Sequence, residues 1–178
     1  MTQSSIQLHK RLQFDLPDGQ VMDGPRRYVI MRADVLMGAF DKLDPHTRFK
    51  MLASLGDSVT DFGGDSVRSY LAQVGTQALL QTMVDGSASL GWGVWSFRTE
   101  EDELLLEVRN SPFAAGSRSA EAPVCQPIVG MLRAIAQALW ARPADVAELS
   151  CACENHGGEA PVCRFRARPA MTAPSSSR

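Results

Sequence analysis

The sequence predicts an α+β domain in which N-terminal helices pack on an antiparallel sheet of about four to five strands, with a further helix between two hairpins. Three observations carry this. Apolar residues recur at helical spacing from Arg32 to about Asp85, and aromatic and β-branched runs replace that pattern after Gly86. A strongly amphipathic stretch, Pro123 to Ala141, then separates two pairs of such runs.

Residues 1–27 alternate weakly from Ile6 to Leu16 and carry two turn signals, Pro17-Asp18-Gly19 and Asp23-Gly24-Pro25, which predict an N-terminal arm or edge hairpin. From Arg32 to Leu43, Val35, Leu36, Ala39, Phe40 and Leu43 mark a helix that Asp44-Pro45 ends. A second helix begins at Pro45 with Phe49, Leu52, Ala53 and Leu55 on one side. Gly63-Gly64 predicts a break, after which Asp65-Ser66 caps a third helix burying Val67, Tyr70, Leu71, Val74, Ala78, Leu79 and Met83.

Leu90 to Phe97 and Glu103 to Val108 read as a hairpin around the acidic turn Glu100-Glu101-Asp102. Asn110 to Ala122 reads as a loop, and Pro123 as the first residue of the amphipathic helix, whose apolar face is Val124, Ile128, Met131, Leu132, Ile135 and Leu139. Val146–Cys153 and Val162–Ala167 read as two more strands around Gly157-Gly158. The Pro/Ser/Ala-rich stretch 169–178 reads as a disordered tail, leaving 28–168 as the folded domain.

Composition narrows the function. The 178 residues have the hydrophobic and charged content of one globular domain, 44% and 21%. Eighteen Lys and Arg against twenty Asp and Glu leave no basic field for a nucleic-acid backbone. No stretch approaches the roughly 18 to 20 apolar residues of a membrane span, and none near the N-terminus resembles an export signal, so a cytoplasmic protein is expected.

All four cysteines, Cys125, Cys151, Cys153 and Cys163, lie in the last third of the chain. In a reducing compartment that clustering points to metal or thiol chemistry rather than disulfides. Cys125 is expected in the first turn of its helix, where free amides and the helix dipole favour a thiolate. Cys151 and Cys163 fall on paired strands near Glu148, and three thiolates with one carboxylate suit a tetrahedral zinc ion. Glu148 and Cys151 have opposite parity, so a regular strand would point them to opposite faces; this set needs a bulge or an early strand end. Cys151, Cys153, Cys163 and His156 form a competing set, and burial of the cysteines as small apolar residues is a third reading.

Trp92, Trp95, Phe97 and Phe113 hold much of the aromatic content, and Gly91 and Gly93 leave room beside them for a flat apolar ligand. Core filling is the competing reading, and opposite parity places at most one of Trp92 and Trp95 on a given sheet face. No phosphate loop, kinase set or Ser/His/Asp context is present, and the acids at 100–103 read as a solvated turn, so the sequence argues against an enzyme. His9 and His46 read as solvent-facing.

Asn110-Ser111-Pro112-Phe113, Pro123-Val124-Cys125, Gly130, Glu148, Cys151, Gly157 or Gly158, and Cys163-Arg164-Phe165 form an ordered series that resembles the 4-vinyl reductase domain family, with support from Gly91-Trp92-Gly93. That family includes the sensory domains of phenol-responsive activators and is structurally akin to trafficking subunits of the TRAPP complex. The resemblance implies a dimeric α+β domain holding a small hydrophobic or aromatic molecule, with a structural zinc on Cys125, Glu148, Cys151 and Cys163. Cys163 stands farther from Cys151 than in the sensors, and Cys153 is an extra thiol. Pro112 replaces a tryptophan of the aromatic sensors, so phenol itself is not carried over.

The expected function is therefore a non-enzymatic, small-molecule-binding sensor domain with Trp92, Trp95, Phe97 and Phe113 at the ligand. Two alternatives follow from the same resemblance: an enzyme or accessory protein in (bacterio)chlorophyll vinyl-group reduction, and a trafficking-type scaffold subunit. The sequence ends soon after Cys163 without the ATPase and DNA-binding modules of such sensors, so output is expected to pass through a partner.

Overall fold

The computed structural model describes residues 7–118, 122–154 and 162–171. A one-turn helix α1 (Leu8–Arg11) leads into β1 (Gln13–Asp15), β2 (Gln20–Asp23) and β3 (Arg26–Tyr28), an antiparallel meander whose reversals fall on the two turn signals. This arm forms its own three-stranded sheet and does not extend the edge of the main one. Buried Asp23 is held by Arg11 at 2.8 Å, and the backbone amide of His9 donates to Ser89 Oγ, tying the arm to the rest of the chain. His9 is thus exposed but engaged; its ring also lies 2.6 Å from the same hydroxyl.

Next come α2 (Ala33–Phe40), α3 (Pro45–Ser58) and α4 (Gly64–Ser89). Asp44 caps α3 by accepting hydrogen bonds from the amides of His46 and Thr47. Met37, rather than Val35, is the buried centre of α2, while Val35 and the expected α3 core residue Phe49 are exposed. The chain does not break at Gly63-Gly64: a π turn over Val59–Gly63 carries α3 directly into α4. Gly63 serves close packing, since a Cβ there would lie 2.9 Å from the Met131 methyl. The helical path is broken instead at Gly75, whose φ of 75° suits a residue without a side chain.

The main sheet holds β4 (Val94–Glu100), β5 (Glu103–Arg109), β6 (Ala144–Ser150) and β7 (Val162–Pro169) in the antiparallel order β4-β5-β7-β6. Between β5 and β6 run a short helix α5 (Pro112–Gly116), inside the segment expected to be a loop, and the amphipathic helix α6 (Gln126–Trp140). Ser111 starts α5 because its hydroxyl accepts from the Ala114 amide and Pro112 fills the first position. The amphipathic helix begins at Gln126 rather than Pro123, so Cys125 is the residue before its first turn and its carbonyl accepts from Ile128 and Val129.

Helix α6 lies between the sheet and the helices α3 and α4. Ile128, Leu132 and Ile135 are fully buried there, as are Leu106, Val108, Cys163 and Phe165 on the facing side of the sheet. Glu107 and Glu103 pair with Arg164 and Arg168 on the opposite, solvent side. Among the described residues no helix is long and apolar enough to cross a membrane.

Candidate metal centre and ligand cavities

Four chain segments deliver Cys125, Glu148, Cys151 and Cys163 to one point, and one ligand atom from each lies within 4.8 Å of all the others. Cys163 comes from the buried face of β7, opposite Val108, and Cys125 from the entrance to α6. The parity conflict between Glu148 and Cys151 is removed in both of the ways physics allows. Glu148 pairs with Phe165 but Ser150 with Arg164, so Leu149 is an extra, bulged residue. Strand β6 then ends at Ser150, and a 3₁₀ turn over Ala152–Glu154 follows.

The sulfur separations are 3.7 Å for Cys125–Cys151, 3.7 Å for Cys125–Cys163 and 4.0 Å for Cys151–Cys163. Sulfurs placed tetrahedrally about a zinc ion at about 2.3 Å stand about 3.8 Å apart, whereas a disulfide requires about 2.05 Å. The cysteines are free thiols at metal-ligand spacing.

The carboxylate is placed to match. Glu148 Oε2 accepts from the Cys125 amide at 2.9 Å, while Oε1 is buried without a hydrogen-bond partner; Ser150 Oγ is the other such oxygen among the described residues. A buried carboxylate oxygen left unpaired is costly unless a cation faces it. Around these groups the Ser111 hydroxyl sits 3.2 Å from Cys125 Sγ, the Ala152 amide donates to Cys163 Sγ, and the Cys151 amide donates to Glu154. The donor set fits zinc, and four protein ligands leave no open position, which is the pattern of a structural site.

Close contact and burial spread the acidities of these groups widely. Hydrogen bonds from Cys125 and Cys163 hold the Cys151 thiol far below its ordinary range, and hydrogen bonding to Cys151 and Cys163 with burial drives Cys125 far above it. Cys163 is lowered by Cys125 but raised more by Cys151 and burial, to about 12. Burial, then the negative charge of Cys151, pushes Glu148 up to about 9. Cys153 stands beside this set, with Sγ 3.1 Å from Cys151 Sγ, but is not part of it. His156, the remaining member of the competing set, lies outside the described residues.

The aromatic residues gather at a second place. A cavity of about 450 Å³ lies between the arm, α4 and the start of β4, walled by Tyr28, Tyr70, Met83, Trp92, Trp95 and Met131 among others. A second, of about 620 Å³, runs under Val29–Met31 and is walled by Leu36, Met37, Leu55 and Phe113. Tyr28, Leu90 and Trp92 line both.

Trp92 and Trp95 share a cavity, and only Trp95 stands on the sheet, so the expectation of at most one per sheet face is not in conflict with this. Trp92 precedes the strand, and Gly91 and Gly93 turn it inward with φ of 73° and 94°. A Cβ on Gly93 would meet the Arg109 carbonyl at 2.5 Å. The Trp95 indole N–H donates to the Trp92 carbonyl, and the Trp92 ring meets Phe113 edge-on at 5.2 Å. Phe97 lines neither cavity; it packs edge-on against Trp95 on the inner face of the sheet.

Sequence reasoning missed Ser111 as a neighbour of the cysteines, although it stands in the Asn110–Phe113 series, and it missed Glu154. It also missed Tyr28, Tyr70, Met83 and Met131, which have no shared spacing and meet only because the arm folds back over α4 and α6.

No protein-family model and no curated protein matches the sequence. Solved structures do. The phenol-responsive sensory domain of the transcription activator PoxR, crystallised with phenol, is 17% identical, with a TM-score of 0.73 over 91% of this chain and 86% of that one. A trafficking protein particle complex subunit 3 from Naegleria fowleri, covalently bound to palmitic acid, is 10% identical, with a TM-score of 0.50 over 78% of this chain and 95% of that one. A vinyl-4-reductase family protein from Methanocaldococcus jannaschii is 14% identical, with a TM-score of 0.48 over 78% and 91%. The likeness expected from the Cys/Glu series and the Asn110–Phe113 segment thus holds at the level of the fold.

Proposed function

We propose that this chain is a non-enzymatic binding or sensor domain for a small hydrophobic or aromatic molecule, with a zinc ion on Cys125, Glu148, Cys151 and Cys163 as a structural clamp. The observation that carries the binding reading is the pair of apolar cavities meeting at Trp92, each of a size suited to a small ligand. The PoxR domain, crystallised with phenol, shares the fold and lends support to the same reading. Zinc would tie β6, β7 and the entrance of α6 together, fixing the sheet against the helix that backs the pocket.

Four free thiols fit a reducing, cytoplasmic setting. The exposed apolar residues Val29, Ile30, Val35 and Phe49 support a homodimer. The ligand site is tested with N-phenyl-1-naphthylamine, a neutral fluorescent hydrophobe. Saturable binding weakened at least about tenfold by Trp92→Ala, and little changed by Phe97→Leu, is expected. Absence of saturable binding would contradict the proposal.

A further inference from the structure

We propose, taking the two cavities as a ligand site, that the ligand is a hydrophobic anion: an aromatic or aliphatic body bearing one carboxylate, whose charge is attracted at the cavity mouth by Arg26 and Arg27 of the arm. The smaller cavity has aromatic and Met walls, and among the described residues its only charged lining residues are these two arginines. The larger is lined by no charged residue among the described residues. In a chain with two more acidic than basic residues, a cavity bordered by cations alone is selective placement.

Neither arginine forms an ion pair among the described residues. Asp23 stands opposite Arg26 in the strand register, but Arg11 holds both of its oxygens, at 2.8 and 3.1 Å. Tyr28 and Tyr70 also line the cavity, and neither side chain has a hydrogen-bond partner among the described residues, so each hydroxyl retains a proton to donate. Arg26 and Arg27 are both exposed, so the head group would sit at the mouth and the apolar body would reach inward past Trp92. A guanidinium suits a carboxylate because its parallel N–H groups match the two oxygens.

The test is isothermal titration calorimetry of the intact chain with 2-naphthoate and with the neutral, similarly shaped 2-naphthalenemethanol, at low and high salt. Naphthoate should bind at least about tenfold tighter than the alcohol, with the difference shrinking as salt rises. The double variant Arg26→Gln/Arg27→Gln should lower the acid's affinity by at least about tenfold, so that it binds no tighter than the alcohol. Equal or tighter binding of the alcohol to the native chain, or a preference that survives in the double variant, would overturn the anion assignment alone. Binding of neither compound would overturn the ligand-binding reading and this assignment with it.

Discussion

Cys151 and Glu148 sit three positions apart, yet their ligand atoms face the same point because Leu149 is bulged out and the strand stops at Ser150. Residue types and order told which side chains to suspect, and strand parity told that a regular strand could not bring them together. The bulge itself leaves no mark in the residue types around it, so only coordinates reveal it. Ser111 is a similar case: its segment reads as a loop, and its contact with Cys125 Sγ depends on how the chain between α5 and α6 returns to the same point. Ser111→Ala should weaken zinc binding about tenfold, in the range typical of groups that orient metal ligands, as read by competition with a chromophoric chelator. Unchanged affinity would remove Ser111 from the metal site's support. Phe97, chosen for its aromaticity alone, shows the limit of residue type: it packs on Trp95 and does not reach either cavity.

Secondary structure follows helical and strand periodicity closely, and departs from it where glycine does two different jobs. At Gly75 the backbone uses the freedom of glycine, whereas Gly63, Gly56 and Gly130 are small because another helix comes close. A Cβ on Gly130 would stand 1.9 Å from the Gly56 carbonyl oxygen, at the crossing of α3 and α6, where Thr60 Oγ1 donates to the Gly130 carbonyl at 3.0 Å. Gly130→Ala must push the helices apart, and a loss of about 1–3 kcal/mol, some 2–10 °C in Tm, is expected by thermal denaturation. A Tm equal to that of the native chain would contradict the crossing. The start of α3 gives a pH signature. Hydrogen bonds from Thr47, side chain and backbone, and from the His46 amide hold the Asp44 carboxyl below the usual carboxylate range. A carboxyl lowered on folding stabilises above its unfolded pKa of about 3.9, and that contribution is lost as pH falls through the lowered folded value. Asp44→Ala should therefore lower Tm at pH 7, and its difference from the native chain should shrink below about pH 4; a difference constant across that range would contradict the cap.

The whole molecule is a four-stranded sheet backed by helices, with a small arm that borders α4 and the start of β4. The α+β class and the order of the main elements were legible in the sequence because each long element carries its own period. The arm's separate sheet was not, since strands of three and four residues have too little pattern to show where they pair. The cavities were not legible either, being the space left between arm, helices and Trp92 rather than the property of any one segment. The account rests on a closed zinc clamp holding together the sheet and helix behind those cavities. Native mass spectrometry of the intact chain tests this most directly. It should show one zinc ion per chain in the native protein and none in Cys125→Ser, whose Tm should fall by at least about 5 °C. A native protein whose mass is that of the polypeptide with four free thiols, and a Cys125→Ser variant that melts with it, would contradict the account.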